Sequence, residues 1–121
     1  MNQPEHDLQC ALIKWWDMQC GIYKLPSVAL YAIPNGAKRN IVTAVKLKAE
    51  GVKKGVADLF LSVPNKDYHG FYIELKAGKN GLSKEQKDFA GFAKSLGYKC
   101  ETFWDWQKAA EAIDQYLNTK S

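Results

Sequence analysis

GVADLFLSVPNKDYHGFYIELK, residues 55–76, is two short apolar runs joined by a polar turn, and its reading decides the fold. The turn lies between Pro64 and Gly70, where proline, asparagine, aspartate and glycine accumulate. Side chains alternate across a strand, so Phe71, Ile73 and Leu75 share one face while Tyr72, Glu74 and Lys76 share the other. On the first run Ala57, Leu59, Leu61 and Val63 line one face, and Asp58 heads the other with Phe60 and Ser62. Glu74 and Lys76 then stand on one side, roughly 7 Å apart along the strand. Pairing the runs as a hairpin brings Asp58, at the start of one, close to Glu74, at the end of the other. Two acids and a lysine converge.

Paired carboxylates are hard oxygen ligands of the kind Mg²⁺ takes alongside waters and substrate phosphates. A metal held there polarises a phosphodiester and lowers the pKa of bound water, while a lysine orients that water or offsets developing charge. The Glu-x-Lys triplet alone is more simply a surface ion pair on the wet face of an antiparallel sheet. What lies ahead of Asp58 tips the balance. Residues 38–54 carry Lys38, Arg39, Lys46, Lys48, Lys53 and Lys54 against Glu50, a local charge of +5 that exceeds the whole chain's +4. A basic block beside an acidic metal site is the layout for gripping a phosphate backbone. Taken in isolation, the block would be a solvated helix face.

These residues carry a resemblance. Asp58, followed by Glu74-Leu75-Lys76, resembles the D…(D/E)-x-K signature of the PD-(D/E)XK nuclease superfamily, and residues 51–58, GVKKGVAD, resemble its VRR-NUC branch in a small stand-alone, phage-type form. The likeness runs from about Glu5 to Trp106. It implies a three-layer α/β restriction-endonuclease-like core (αβββαβ), with a small mixed central sheet and extra helices. The function it implies is a Mg²⁺-dependent endonuclease, with Mn²⁺ as a substitute ion, hydrolysing DNA phosphodiesters. By the same likeness, Asp58, Glu74 and the Leu75 backbone carbonyl hold the metal and Lys76 serves the water. A glutamate from the first helix, here Glu5, joins as a catalytic residue or second-metal ligand, and Gln86 sits beside the lysine. One departure stands out: Ala57 occupies the place of the proline that names the superfamily, where proline shapes backbone and takes no part in chemistry.

The rest of the chain reads in order as α-β-α-β-β-α-β-α. Leu8, Ala11, Leu12, Trp15 and Trp16 make a helical stripe over residues 4–20, ended by Gly21. Glu5 extends that stripe, and without the resemblance it could equally serve the helix dipole. Val28–Ile33 reads as a strand, then Pro34-Asn35-Gly36 turns the chain. Asn40 caps a helix to Glu50, with Ile41, Ala44, Val45 and Leu47 as its apolar face. Lys53 and Lys54 abut the acid-bearing strand and are the preferred phosphate contacts, with Lys38 and Arg39 as further ones. Ser83-Lys84-Glu85-Gln86 is a capping box, which alone accounts for Gln86, yet Gln86 also falls on the inward face with Phe89, Ala93 and Leu96. Tyr98–Phe103 follows as a strand, and Asp105 caps a helix from Trp106 to about Leu117. Trp104 and Trp106 are expected in packing or an interface rather than in base stacking.

Composition narrows the rest. At 121 residues with 46% hydrophobic content, a single domain spanning residues 1–121 with its own core is expected. No apolar run approaches the ~20 residues of a membrane helix. The polar, acidic start is unlike a signal peptide, and three widely spaced cysteines read as free thiols, so a cytoplasmic protein is expected, in a bacterial host cell if phage-encoded. With only His6 and His69 available, no zinc constellation forms. Nothing resembles a base-reading module, so recognition of backbone and shape is expected, on branched DNA such as four-way (Holliday) junctions. A single site per subunit cuts two strands symmetrically only as a homodimer. The alternatives are a non-catalytic nucleic-acid-binding module of the same fold and a flap or single-strand nuclease.

Overall fold

In the computed structural model, which describes residues 4–34 and 41–119, a four-stranded sheet carries the acidic pair. Its strands are β1 (Leu30–Ala32), β2 (Leu59–Leu61), β3 (Phe71–Leu75) and β4 (Lys99–Phe103), in that spatial order. The first two pairings are antiparallel and the third is parallel, so the sheet is mixed. The four helices are α1 (Pro4–Gln19), α2 (Ile41–Ala49), α3 (Lys84–Ser95) and α4 (Trp106–Asn118). The parallel step from β3 to β4 needs a crossover, and α3 supplies it. This is the expected element order and the expected α/β class.

One face of the sheet is dry. Leu59, Leu61, Phe71, Ile73 and Leu75 point from it into a core completed by Leu12 and Trp16 of α1 and by Ala109, Ile113 and Tyr116 of α4. Trp16, Leu12, Leu59, Leu61, Phe71, Ile73 and Ile113 have no exposed surface. The other face carries an aromatic row instead. Phe60 and Tyr72 lie 4.4 Å apart between ring centroids, and Tyr72 meets Phe89 of α3 edge-on at 5.0 Å. The alternation in the two central strands predicts this division of faces, and the burial follows it except at Glu74, which is buried on the face opposite the core.

Local expectations shift in four places. Gly21 does not end the first helix; a 3-10 turn continues through Cys20–Tyr23, and the left-handed residue is Lys24, φ +60°. The continuation lets the Tyr23 ring stack on Trp16 at 6.0 Å and its hydroxyl donate to Asp114 of α4. The first strand is shorter than Val28–Ile33 because Ser27–Ala29 forms a second 3-10 turn, whose Ser27 carbonyl accepts from the buried Trp16 indole at 2.9 Å. Val45 is 63% exposed and Leu96 52%, so neither belongs to the inward face assigned to it. Asn40, Asn35 and Gly36 lie outside the described residues, while the other end of α2 stops at Gly51, which adopts φ +101°. Among the described residues no helix is long and apolar enough to cross a membrane.

Candidate active site

The register of the central hairpin builds the site. Leu59 pairs with Ile73, Phe60 with Tyr72 and Leu61 with Phe71, so one step further Asp58 faces Glu74. Backbone and side chain then fix Asp58 separately. Its carbonyl accepts from Ile33, just past the first strand, at 2.8 Å, and its Oδ2 accepts from the Leu75 amide at 2.8 Å. The side chain thus takes over a ladder bond at the strand end, and the aspartate is held at the Leu75 peptide. The Asp58 and Glu74 carboxyls hydrogen-bond to each other. Glu74 is only 8% exposed, and Lys76 Nζ stands 4.0 Å from its Oε2 on the same face.

Two acids this close in a buried setting do not both ionise easily. Burial, and next the Asp58 charge, push the Glu74 pKa up to about 8, with Lys76 pulling the other way. Asp58 is also raised, chiefly by burial, against the Leu75 amide that favours its charged form. Near neutral pH the pair therefore retains a proton that a cation in the same place would displace.

Gln86 fills two roles that its sequence position leaves as alternatives. Its Oε1 accepts from the Ser83 amide at 2.8 Å, completing the capping box, while its Nε2 donates to Glu74 Oε2 at 3.0 Å. Glu5 reaches the end of β3 from α1. Its Oε2 accepts from the Ala77 amide and from Asn80 Nδ2, both at 3.4 Å, and its charge raises both members of the acid pair. It does not close a cluster with them: among the described residues no group of three histidine, cysteine or acidic side chains is assembled. Asp58, Glu74, Lys76 and Gln86 are brought together, with Glu5 just outside.

A cleft of about 930 Å³ opens over the acids, lined by Ala44, Leu47, Lys48, Lys53, Lys54 and Lys76 together with Asp58 and Glu74. Lys53 and Lys54 thus face the same opening as the acids. Lys38 and Arg39 lie outside the described residues. Sequence reasoning counted Lys48 in the basic block without choosing it as a phosphate contact, and did not select Asn80. Lys48 lines the cleft, and its position four after Ala44, on one helix face, was the available signal. Asn80 links Glu5 to Trp104, whose indole donates to the Asn80 carbonyl at 2.8 Å, and no local pattern announces that contact.

Comparison with known proteins bears on the family and the fold. The model of the VRR-NUC domain family matches residues 2–103. A solved structure described as a VRR_NUC domain protein superposes with a TM-score of 0.82, covering 100% of this chain and 93% of that one at 23% identity, a likeness of fold. No curated protein sequence matches. With a family match over most of its length, the chain belongs to the VRR-NUC domain family, a family of nuclease type.

Proposed function

We propose that the protein is a metal-dependent endodeoxyribonuclease acting on branched DNA. The observation that carries this reading is the convergence of Asp58, Glu74 and Lys76 on one face of the sheet, inside a cleft edged by Lys48, Lys53 and Lys54. The donor set fits a hard divalent ion. Both carboxyls offer hard oxygen donors, and the raised pKa of Glu74 marks a place where added positive charge is favoured. Asp58 and Glu74 would hold Mg²⁺ or Mn²⁺ with the Leu75 carbonyl, and Glu5 is near enough to contribute a further charge or a water-mediated contact. When bound, such an ion polarises the scissile phosphodiester and acidifies a water.

The chain's own residues supply the rest. Lys53, Lys54 and Lys48 hold the sugar-phosphate backbone, with Lys38 and Arg39 as further contacts, and they read charge rather than sequence. Gln86 keeps Glu74 from turning out of the cleft by tying it to the α3 cap. Lys76, with only 12% of its side chain exposed, orients the attacking water or offsets charge on the phosphorane-like transition state. Cutting both strands of a junction calls for two such sites, hence a homodimer with two-fold symmetry.

The test is cleavage of four-way junction, flap, duplex and single-stranded DNA with and without Mg²⁺. The junction should be cut preferentially and only with metal. Asp58→Ala and Glu74→Ala should abolish cutting while DNA is still bound. Parental rates in both variants would overturn the nuclease reading, and cutting of the flap alone would overturn the junction preference. DNA retention without any Mg²⁺-dependent product would instead identify a binding module.

A further inference from the structure

A second cavity lies on the far side of Gln86 from the basic cleft. It measures about 220 Å³ and is bounded by the sheet on one side and α3 on the other, with Tyr72, Phe89, Ala90, Thr102 and Cys100 in its wall. Glu74, Gln86, Gly55 and Leu82 line both this cavity and the cleft, so these residues form the partition between the two. The partition is fixed. Gly55 adopts φ +91°, and a Cβ there would sit 2.5 Å from the Glu85 carbonyl oxygen, so the chain can pass this close to α3 only without a side chain.

The cavity's size and lining both narrow what it can hold. Sites for drug-sized ligands occupy roughly 300–1,000 Å³, so this one suits a single planar ring system. Its aromatic wall is held in advance: Tyr72 is packed against Phe60 at 4.4 Å and against Phe89 at 5.0 Å. Thr102, Lys94, Gln86, Glu74 and Glu101 add polar and charged groups to this apolar and aromatic wall. Apolar and aromatic surfaces with a few polar groups are what a nucleobase meets when it leaves the stack. Glu74 and Glu101 in the same lining disfavour a phosphate.

Resting on the nuclease reading above, we propose that this cavity receives one unstacked base of the strand being cut, next to the scissile phosphate over Asp58 and Glu74. The strand then bends over Gln86, its phosphate in the cleft and its neighbouring base behind the partition. Continuous duplex must lose a pair and its stacking to enter, a penalty of a few kcal/mol that is smallest at a branch or a frayed end. The cavity thereby selects branched DNA without reading sequence.

The experiment first maps the cut on a four-way junction with Mg²⁺, then places 2-aminopurine at each position flanking that cut and records fluorescence with Ca²⁺ in place of Mg²⁺. One flanking position should brighten several-fold on binding, as expected for a base withdrawn from its neighbours. Ala90→Phe, which fills the cavity from a position outside the cleft lining, should abolish the rise with little change in DNA affinity; Thr102→Leu is the second filling variant should the first misfold. An abasic spacer at the same position, which leaves the protein untouched, should raise KM about tenfold, the value of a lost stacked base. If the parent protein cuts with Mg²⁺ but no flanking position brightens, or the spacer is cut as well as the intact strand, the base-binding cavity is overturned and the nuclease reading stands. A rise that persists in the folded filling variants also overturns it. Failure of the parent to cut any DNA sinks the nuclease reading and this inference with it.

Discussion

The two faces of the sheet are made from the same four strands and do opposite work. Against α1 and α4, every second residue of β2 and β3 is aliphatic or aromatic and fully excluded from water. Against α3, the alternate residues are Phe60, Tyr72, Glu74 and, just past the strand end, Lys76, with Asp58 opposite. Burial stabilises the first face at about 25 cal/mol per Å² of apolar surface. The second face accepts two acids that repel each other and a carboxyl displaced far from its ordinary pKa. The contrast teaches that the dry face supplies the stability on which a strained, charged face can be held.

Variants can break or sharpen that contrast. The largest expected effect is on the charged face: Asp58→Ala and Glu74→Ala should each lower cleavage about a thousandfold or more, far beyond what any change in melting temperature accounts for. Rate and thermal melting measured on the same preparations check it, and a loss of rate that merely tracks unfolding would erase the distinction between faces. On the dry face, Trp16→Ala should cost about 3–5 kcal/mol by denaturant titration, because it empties a fully buried site and orphans the Ser27 carbonyl.

The next effect is on pH. Glu74 titrates near 8 in the fold against an ordinary 4.5, so between those values the folded protein binds a proton that the unfolded chain releases. That contribution to stability is complete below about pH 4.5 and is lost as pH rises through the folded pKa. Metal-free protein should therefore melt several degrees lower at pH 8.5 than at pH 5.5. Glu74→Gln should flatten the trend, and so should Mg²⁺ if it replaces the shared proton. A melting temperature that climbs with pH would contradict the raised carboxyl. Smaller still, Gln86→Ala should lose ~1 kcal/mol with its cap. The same change should slow cleavage roughly tenfold, the usual toll of an unsupported ligand. Gln86→Glu, which cannot donate to Glu74, separates the two effects. The smallest change is in salt dependence, where Lys53→Ala and Lys54→Ala should each reduce the slope of log affinity against log salt by ~0.9.

Much of this was legible in the sequence wherever the physics is local. Alternation in GVADLFLSV and FYIELK places Asp58, Glu74 and Lys76 on one face, and the register adds only that Asp58 meets Glu74 rather than a neighbour. The Ser83 box and the Asp105 cap are local hydrogen bonds, and both form as the sequence indicates. What the sequence hides is tertiary. Glu5 finds Ala77 and Asn80 more than seventy positions away, and whether Gln86 caps or serves the site cannot be divided locally because one amide has two ends. Periodicity likewise assigned Val45 and Leu96 inward, although α2 and α3 present those positions to solvent. A helix period gives a stripe, and only packing decides how wide a stripe is covered.

The two-ended amide of Gln86 also makes the start of α3 a reporter. One end clasps the Ser83 peptide and the other clasps Glu74, so whatever captures that carboxylate oxygen alters the clasp on the helix. Amide exchange at Ser83 and in the first turn should therefore register occupancy of the acid pair. That signal would come from residues outside the acid pair itself.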